Sequence, residues 1–203
     1  TIIERDNAQR FATDEIKQLS ELGFMGMMVA EENGGSGMDT VSYVLAMEEI
    51  SKVDASVSVC MSVNNSLVCY GLQAFGSDMQ KEKYLRSLAS GEKIGAFCLS
   101  EPEAGSDATS QATTAVDCGD HYLLNGTKNW ITNGNSASIY LVIAQTSPEL
   151  GHRGINVLVV ERDMPGFMVG AKEDKMGIRG SDTHTLMFQD VRVPKENRIG
   201  EDG

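Results

Sequence analysis

The chain of 203 residues is poor in the residues that build metal sites and disulfide frameworks. Its four cysteines never fall at C-x-x-C spacing, and its three histidines lie far apart along the chain. Neither arrangement matches a zinc site, so the sequence carries no metal signature. Because cysteines such as Cys60 and Cys98 stand inside apolar runs, we interpret them as buried structural thiols in a reducing compartment.

Positive charge is also scarce. Lys and Arg number 17 against 29 Asp and Glu, which gives a formal net charge of −12. Sequence-independent binding of nucleic acid depends on clustered Lys and Arg, so a nucleic-acid partner is excluded. No apolar run is long enough to cross a bilayer, and no targeting segment is visible, so we expect no membrane partner.

The first half of the sequence contains the start and stop signals of several helices, so we predict a helical domain over residues 1–93. Helical spacing of apolar residues predicts a short helix that ends at Gly23, and a second helix capped by Asp39. A third helix, from about Asp54 to Phe75, is apolar nearly all round and should be buried. The second helix is predicted to carry its apolar face on Val41, Val44 and Leu45, and a fourth helix follows the capping box that begins at Ser77.

From residue 94 to 203 the pattern changes to short apolar runs separated by turn pairs, including Asn125-Gly126 and Pro165-Gly166. The runs 139–144 and 155–160 are typical of strands covered on both faces. We therefore predict an α+β chain, in which the amino-terminal helical domain is followed by an antiparallel β-barrel or sandwich domain.

One stretch of this second half combines a strand with a polar loop. It runs from Phe97 through Ser100, Pro102 and Gly105 to Asp107. Pro102 should stop the strand, Gly105 would let the backbone approach a ligand, and the neighbouring N–H groups could bind a phosphate. On spacing alone, a strand followed by a capped turn is the favoured interpretation of this pattern.

A second stretch, Trp130-Ile131-Thr132-Asn133-Gly134, follows about two dozen residues later. Trp130 is the only tryptophan of the chain, and by default such a residue is a packing anchor. Thr132 by itself indicates only a preference for strands.

Together the two stretches resemble the paired signature of the acyl-CoA dehydrogenase family. The similarity continues through residues 31–37, 125–128, 172–183 and 188–194, so it covers most of the chain. Around residues 172–181 the short-chain, butyryl-type members are the most similar. The resemblance implies an α,β-dehydrogenation of a short-chain acyl-CoA, with FAD as the cofactor that accepts hydride.

The resemblance also implies which residues line the FAD site. Thr132 would bind near the flavin nitrogen that receives hydride, Trp130 would cover the ring, and Ser106 would contact both the pyrophosphate and the acyl-CoA substrate. Cys98 should point into the β-core because strand residues alternate between faces. The expected cofactor-binding residues are Phe97, Leu99, Ser100, Gly105, Ser106, Trp130, Ile131 and Thr132.

Family members take the substrate proton with a carboxylate from a carboxyl-terminal helical domain, which this sequence does not contain. Glu101 and Asp107 lie near the flavin loop, but we expect them to fix loop geometry or face solvent, so no residue is predicted as catalytic base. The opening residues also lack the first helix expected of the family, and both ends look truncated. The fragment should therefore bind FAD weakly and be inactive by itself.

The resemblance further implies a homotetramer that passes electrons to an electron-transfer flavoprotein, in the bacterial cytoplasm or the mitochondrial matrix. Two other hypotheses remain open. The first is a non-catalytic module that binds acyl-CoA or FAD. The second is an acyl-CoA oxidase or nitroalkane-oxidase-like flavoenzyme, which would differ in how the flavin is reoxidised.

Overall fold

A computed structural model describes residues 1–200 of the chain. The predicted β-domain ends at residue 203, and its last three residues lie outside this described part. The described half before residue 94 is helical, and the remainder is a sheet with long loops. The helices are α1 (Ile2–Asn7), α2 (Thr13–Glu21), α3 (Thr40–Val53), α4 (Ala55–Ser62), α5 (Tyr70–Phe75), α6 (Asp78–Gln80) and α7 (Arg86–Ala89).

Two π-helical segments make the longer helices continuous. Val63–Cys69 joins α4 to α5, and Lys81–Leu85 joins α6 to α7. Asp54 caps α4 by accepting the N–H groups of Ser56 and Val57, and the Ser77 capping box at the start of α6 is confirmed. The third predicted helix is therefore present from residue 55 to 75.

Three details of the helical half differ from the sequence expectations. Residues 2–7 form α1, a short helix closed by a capping box between Thr1 and Glu4, which the sequence analysis missed. On α3 the inward face carries Tyr43, while the residues of the predicted apolar face, Val41, Val44 and Leu45, are all exposed. On the third helix Tyr70 is 57% exposed, so that helix is only partly buried.

The β-half contains one eight-stranded sheet. Its strands are β1 (Gly95–Cys98), β2 (Thr114–Asp117), β3 (His121–Thr132), β4 (Ile139–Gln145), β5 (Ile155–Glu161), β6 (Phe167–Lys172), β7 (Thr183–Pro194) and β8 (Arg198–Ile199). The order is β6-β7-β3-β2-β4-β5-β8, and β1 pairs with β4. Most pairs are antiparallel, but β1 and β2 both run parallel to β4. Over residues 1–200 the sheet is not closed into a barrel.

The helices cover one face of this sheet. On β4, Leu141 faces the helices and packs with Leu72 and Leu88, whereas Tyr140 and Val142 face the core of the β-half. Strands β4 and β5 are thus apolar on both faces, as their sequences predicted. A third cluster fills the space among α2, α3 and α4.

The predicted turn at Asn125-Gly126 is wrong. Both residues lie inside β3, beside an irregularity in its pairing with β7. The Asn125 side chain bonds the backbone and side chain of Asp190, which has a positive φ of 51°. The extra residue sits on β7, so an Asn-Gly pair here serves a bulge between long strands rather than a hairpin. The Pro165-Gly166 turn, by contrast, lies between β5 and β6 as predicted.

Candidate functional site

The loop after β1 begins with a tight turn. Glu101 N–H donates to the Ala104 carbonyl at 2.8 Å, and Ala104 N–H donates back to the Glu101 carbonyl at 3.3 Å. Pro102 occupies the second position of this turn, where its fixed φ is favourable. The turn ends β1 and directs the chain from Gly105 to Asp107 outward, where these residues are exposed.

The end of β3 is distorted by a second irregularity in its pairing with β7. Lys128 pairs with Leu186 and Ile131 pairs with His184, so Asn129 and Trp130 together oppose a single residue. A bulge of this kind leaves the ladder and redirects side chains. Trp130 takes a φ of 58°, which is rare for an aromatic residue, and its side chain is 59% exposed.

Burial alternates along residues 130–132, which begin inside the bulge and continue to the end of β3. Trp130 is exposed, Ile131 is buried in the β-core, and Thr132 is half-buried. Trp130 and Thr132 therefore face away from the core. Since the Ile131 side chain packs inside the protein, only its backbone is available for contact with a ligand.

The two stretches singled out in the sequence lie side by side. The Asn129 N–H donates to the Ser100 carbonyl at 2.8 Å, and the Lys128 ammonium donates to the Leu99 carbonyl at 3.1 Å. The half-buried side chain of Phe97 packs against the helix-facing cluster. The structure therefore brings the loop after β1 next to the end of β3.

The outer part of the loop carries open hydrogen-bonding groups. Within residues 1–200, the backbone N–H groups of Gly105 and Ser106 donate to no protein acceptor. A Cβ added at Gly105 would meet no atom within 4 Å. Free N–H groups on consecutive residues suit an anionic ligand such as a phosphate.

The two carboxylates near this loop have structural partners, as expected. Asp107 accepts hydrogen bonds from Ser110 Oγ at 2.5 Å and Thr109 Oγ1 at 2.7 Å, and these bonds lower its pKa. Glu101 is 2% exposed and pairs with Lys128 at 2.6 Å. Burial acts to raise the pKa of Glu101, but the hydrogen bonds from Lys128 and Thr113 outweigh it, and the net pKa is lowered. A general base needs a raised pKa, so neither group fits that role.

Three of the four cysteines, Cys60, Cys69 and Cys98, are buried, as expected for structural thiols. Burial raises the pKa of the Cys60 and Cys69 thiols to about 12 and raises that of Cys98 further. Cys98 lies in the β-core, as strand alternation predicted. Cys118 is exposed and is the exception to the prediction of burial.

A separate apolar cavity lies in the helical half, away from the loop after β1. It measures about 420 Å³ and is lined by residues of α1, α2, α3 and α4, among them Leu19, Ile50 and Val57. Its buried Arg5 already pairs with Glu15 and Asp54.

In the described part of the chain no cluster of His, Cys, Asp and Glu is arranged to hold a metal ion. No helix between residues 1 and 200 has both the length and the apolar character of a membrane span.

Sequence reasoning missed the residues that join the two stretches. Lys128 was noted only as part of a motif, and Asn129 was not considered. Their roles depend on the bulge and on the pairing of β3 with the loop after β1, and both are long-range contacts. The one local signal is the alternation along β3, because Lys128 has the same parity as the inward-facing residues Tyr122 and Leu124.

Fold and site together define an α+β protein with a helical layer on a mostly antiparallel sheet, and an exposed indole beside a loop of free N–H donors. The chain belongs to the acyl-CoA dehydrogenase family. Residues 1–92 match the model of the acyl-CoA dehydrogenase N-terminal domain, and residues 96–191 match that of the acyl-CoA dehydrogenase middle domain.

Three relatives show the extent of the similarity. The mitochondrial short-chain specific acyl-CoA dehydrogenase of Homo sapiens is 48% identical over 98% of this chain and 48% of its own length. Butyryl-CoA dehydrogenase from Megasphaera elsdenii is 46% identical, with a TM-score of 0.95 over 98% of this chain and 53% of that one. Acyl-CoA dehydrogenase complexed with FAD from Bacillus anthracis is 38% identical, with a TM-score of 0.87 over 98% and 35%. The chain thus spans about half the length of the curated relatives it matches.

Proposed function

We propose that this chain forms the FAD-binding and part of the acyl-CoA-binding surface of a short-chain acyl-CoA dehydrogenase. The observation that carries the proposal is the adjacency of two segments: the start of the loop that leads to Gly105 and Ser106 is bonded, through Leu99 and Ser100, to Lys128 and Asn129 beside the bulge. Relatives named as short-chain specific and butyryl-CoA dehydrogenases support the substrate class.

The residues present fit an FAD molecule by their chemistry. A flavin ring has flat apolar faces and a polar edge, and the exposed indole of Trp130 suits a face, while the Thr132 hydroxyl suits the edge. The free N–H groups of Gly105 and Ser106 suit the pyrophosphate. When bound, FAD supplies an acceptor for the hydride removed from the acyl chain.

The protein's own groups would then bind, orient and exclude water. Trp130 would shield one side of the ring, since most of its surface is exposed and open to contact with a ligand. The Ser106 hydroxyl would hold the cofactor and the substrate, and Ser100, together with the backbone of Ile131, would complete the lining with Phe97 and Leu99. Hydrogen-bond donors fixed along the ring edge stabilise charge that develops there.

The proton would be removed by a group outside these residues. Glu101 is enclosed by its partners and Asp107 has a lowered pKa, so neither is a suitable base. We infer that a carboxylate of a carboxyl-terminal helical domain supplies this step in the full-length protein. The 203-residue chain by itself would be inactive and would bind FAD weakly, because it spans about half the length of its relatives.

The assembled protein would be a tetramer that transfers electrons to an electron-transfer flavoprotein. The test uses the protein encoded by the whole gene. It should purify yellow, and its flavin absorption should bleach under anaerobic conditions when butyryl-CoA is added. A colourless protein that binds butyryl-CoA would favour the non-catalytic module, and rapid oxygen consumption during turnover would favour the oxidase.

A further inference from the structure

Lys128 has no exposed surface, although it carries a charge. Its ammonium group donates to three oxygens: the Leu99 carbonyl at 3.1 Å, Glu101 Oε1 at 2.6 Å and Gln111 Oε1 at 2.5 Å. An ammonium group has three protons, so each proton has an acceptor. Burial nevertheless lowers the pKa of Lys128, because desolvation outweighs the attraction of Glu101.

Glu101 is satisfied in the same way. Besides Lys128, its carboxylate accepts the N–H of Ala112 at 2.7 Å and the N–H of Thr113 at 3.1 Å. These two residues stand at the far end of the loop, just before β2. The Glu101 carboxylate therefore connects the beginning of the loop to its end by hydrogen bonds. Lys128, which lies on β3, bonds this carboxylate and so holds the loop against β3.

The contacts enclose the part of the loop that adjoins the bulge. Lys128 binds residues 99 and 101, and the next residue, Asn129, binds the carbonyl of Ser100 between them. Trp130 follows directly on β3. Three consecutive loop residues are thus fixed against two consecutive strand residues, next to the proposed flavin surface.

Stability alone is a weak explanation for such a pair. A buried ion pair is often no more stabilising than apolar residues of similar volume, because removing two charges from water is costly. Directional bonds provide what apolar packing lacks, since they specify which loop atoms lie beside which strand atoms. Neither side chain reaches solvent, so neither can touch a ligand.

We propose that Lys128 and Glu101 are a positioning pair that holds the loop of residues 99–113 in register with Trp130 and Thr132. The pair thereby sets the affinity for FAD and the surroundings of its ring. This inference rests on the proposed function, to which it adds two residues that act through others.

The test compares the protein encoded by the whole gene with its Lys128→Met variant and with its neutral double variant Glu101→Gln/Lys128→Met. Lys128→Met leaves a buried carboxylate without its cation, so its melting temperature should fall strongly. The double variant should recover part of that loss. In both variants the dissociation constant for FAD should rise by about tenfold or more, because the Leu99 carbonyl and the side chains of residues 101 and 111 lose their bonds to the Lys128 ammonium.

Two further readouts report position rather than stability. Without FAD, hydrogen exchange at the Asn129 N–H should accelerate by about tenfold in the double variant, while exchange in β4 and β5 stays unchanged. With FAD, the visible flavin spectrum should differ from that of the unmodified chain. Tyr84→Phe serves as the control, since it removes buried bonds to Glu161 and Asn197 on other elements and should change neither readout.

The outcomes separate the two proposals. An unmodified whole-gene protein that does not bind FAD at any accessible concentration would overturn the proposed function, and this inference with it. If the unmodified chain binds FAD while the double variant matches it in affinity, spectrum and Asn129 exchange, only the positioning role is refuted. Should Lys128→Met fail to fold, the double variant carries the test.

Discussion

The Gly105→Ala substitution separates a ligand-binding loop from an ordinary turn. A methyl group at residue 105 would meet no protein atom within 4 Å, and the residue does not have a positive φ. The folded chain should therefore accept alanine without strain. Because alanine reduces the conformational freedom of the unfolded chain, the free energy of unfolding should rise by about 0.4–1 kcal/mol.

The affinity of the Gly105→Ala variant for FAD, in contrast to its stability, should fall. If the backbone at Gly105 approaches the cofactor closely, the added methyl group must displace either the ligand or the loop. Forcing an extra methyl group into a packed contact costs about 1–3 kcal/mol. The dissociation constant for FAD should therefore rise roughly 5- to 150-fold.

The assay pairs urea unfolding with flavin titration of the same samples. Gly177→Ala is a matched control, because residue 177 is also open within 4 Å and also lacks a positive φ. It should resemble Gly105→Ala in stability and the unmodified chain in FAD affinity. Unchanged FAD affinity in Gly105→Ala would refute the close approach, and a large loss of stability would refute the open environment.

Three other predictions follow from the structure. Leu141→Ala should cost about 2–5 kcal/mol in urea unfolding, whereas Leu45→Ala, at a residue 58% exposed, should stay within about 0.5 kcal/mol. Glu101 has a lowered pKa in the folded chain, so the stability it contributes is present above its unfolded pKa and is lost as pH falls through its folded pKa. In Glu101→Gln the free energy of unfolding should therefore depend less steeply on pH at acid pH, and an unchanged slope would count against this prediction. Ser106→Ala with Thr132→Val should weaken FAD retention, and equal retention in a flavin titration would reject both assignments.

Local signals in the sequence were sufficient for much of the fold. The capping box at Ser77, the cap at Asp39 and the apolar strand at 139–144 act over a few residues, and each is present in the structure. The change from helical to strand spacing near residue 94 also reports local structure. Such features are readable because the interactions that fix them are close in sequence.

Predictions from the sequence were wrong where contacts between residues far apart in the chain determine the structure. Val44 is more apolar than Tyr43, yet the position of α3 against its neighbours buries Tyr43 and leaves Val44 exposed. Asn125-Gly126 has the composition of a hairpin turn, yet the pairing of β3 with β7 carries the strand through it. The Lys128 ammonium binds the carbonyl of Leu99, which lies 29 residues earlier in the chain. Recognition of the two paired stretches pointed to the site, but not to the residues that hold it together.

Trp130 offers the most direct test of the central claim, because it is the only tryptophan of the chain and is 59% exposed at the proposed flavin surface. Its fluorescence should be followed while FAD is titrated into the 203-residue chain, with N-acetyltryptophanamide correcting for light absorbed by FAD. We expect saturable quenching that is weakened by Gly105→Ala and unaffected by Gly177→Ala. FAD binding, detected independently by ultrafiltration, without any change in the emission of Trp130 would contradict the claim.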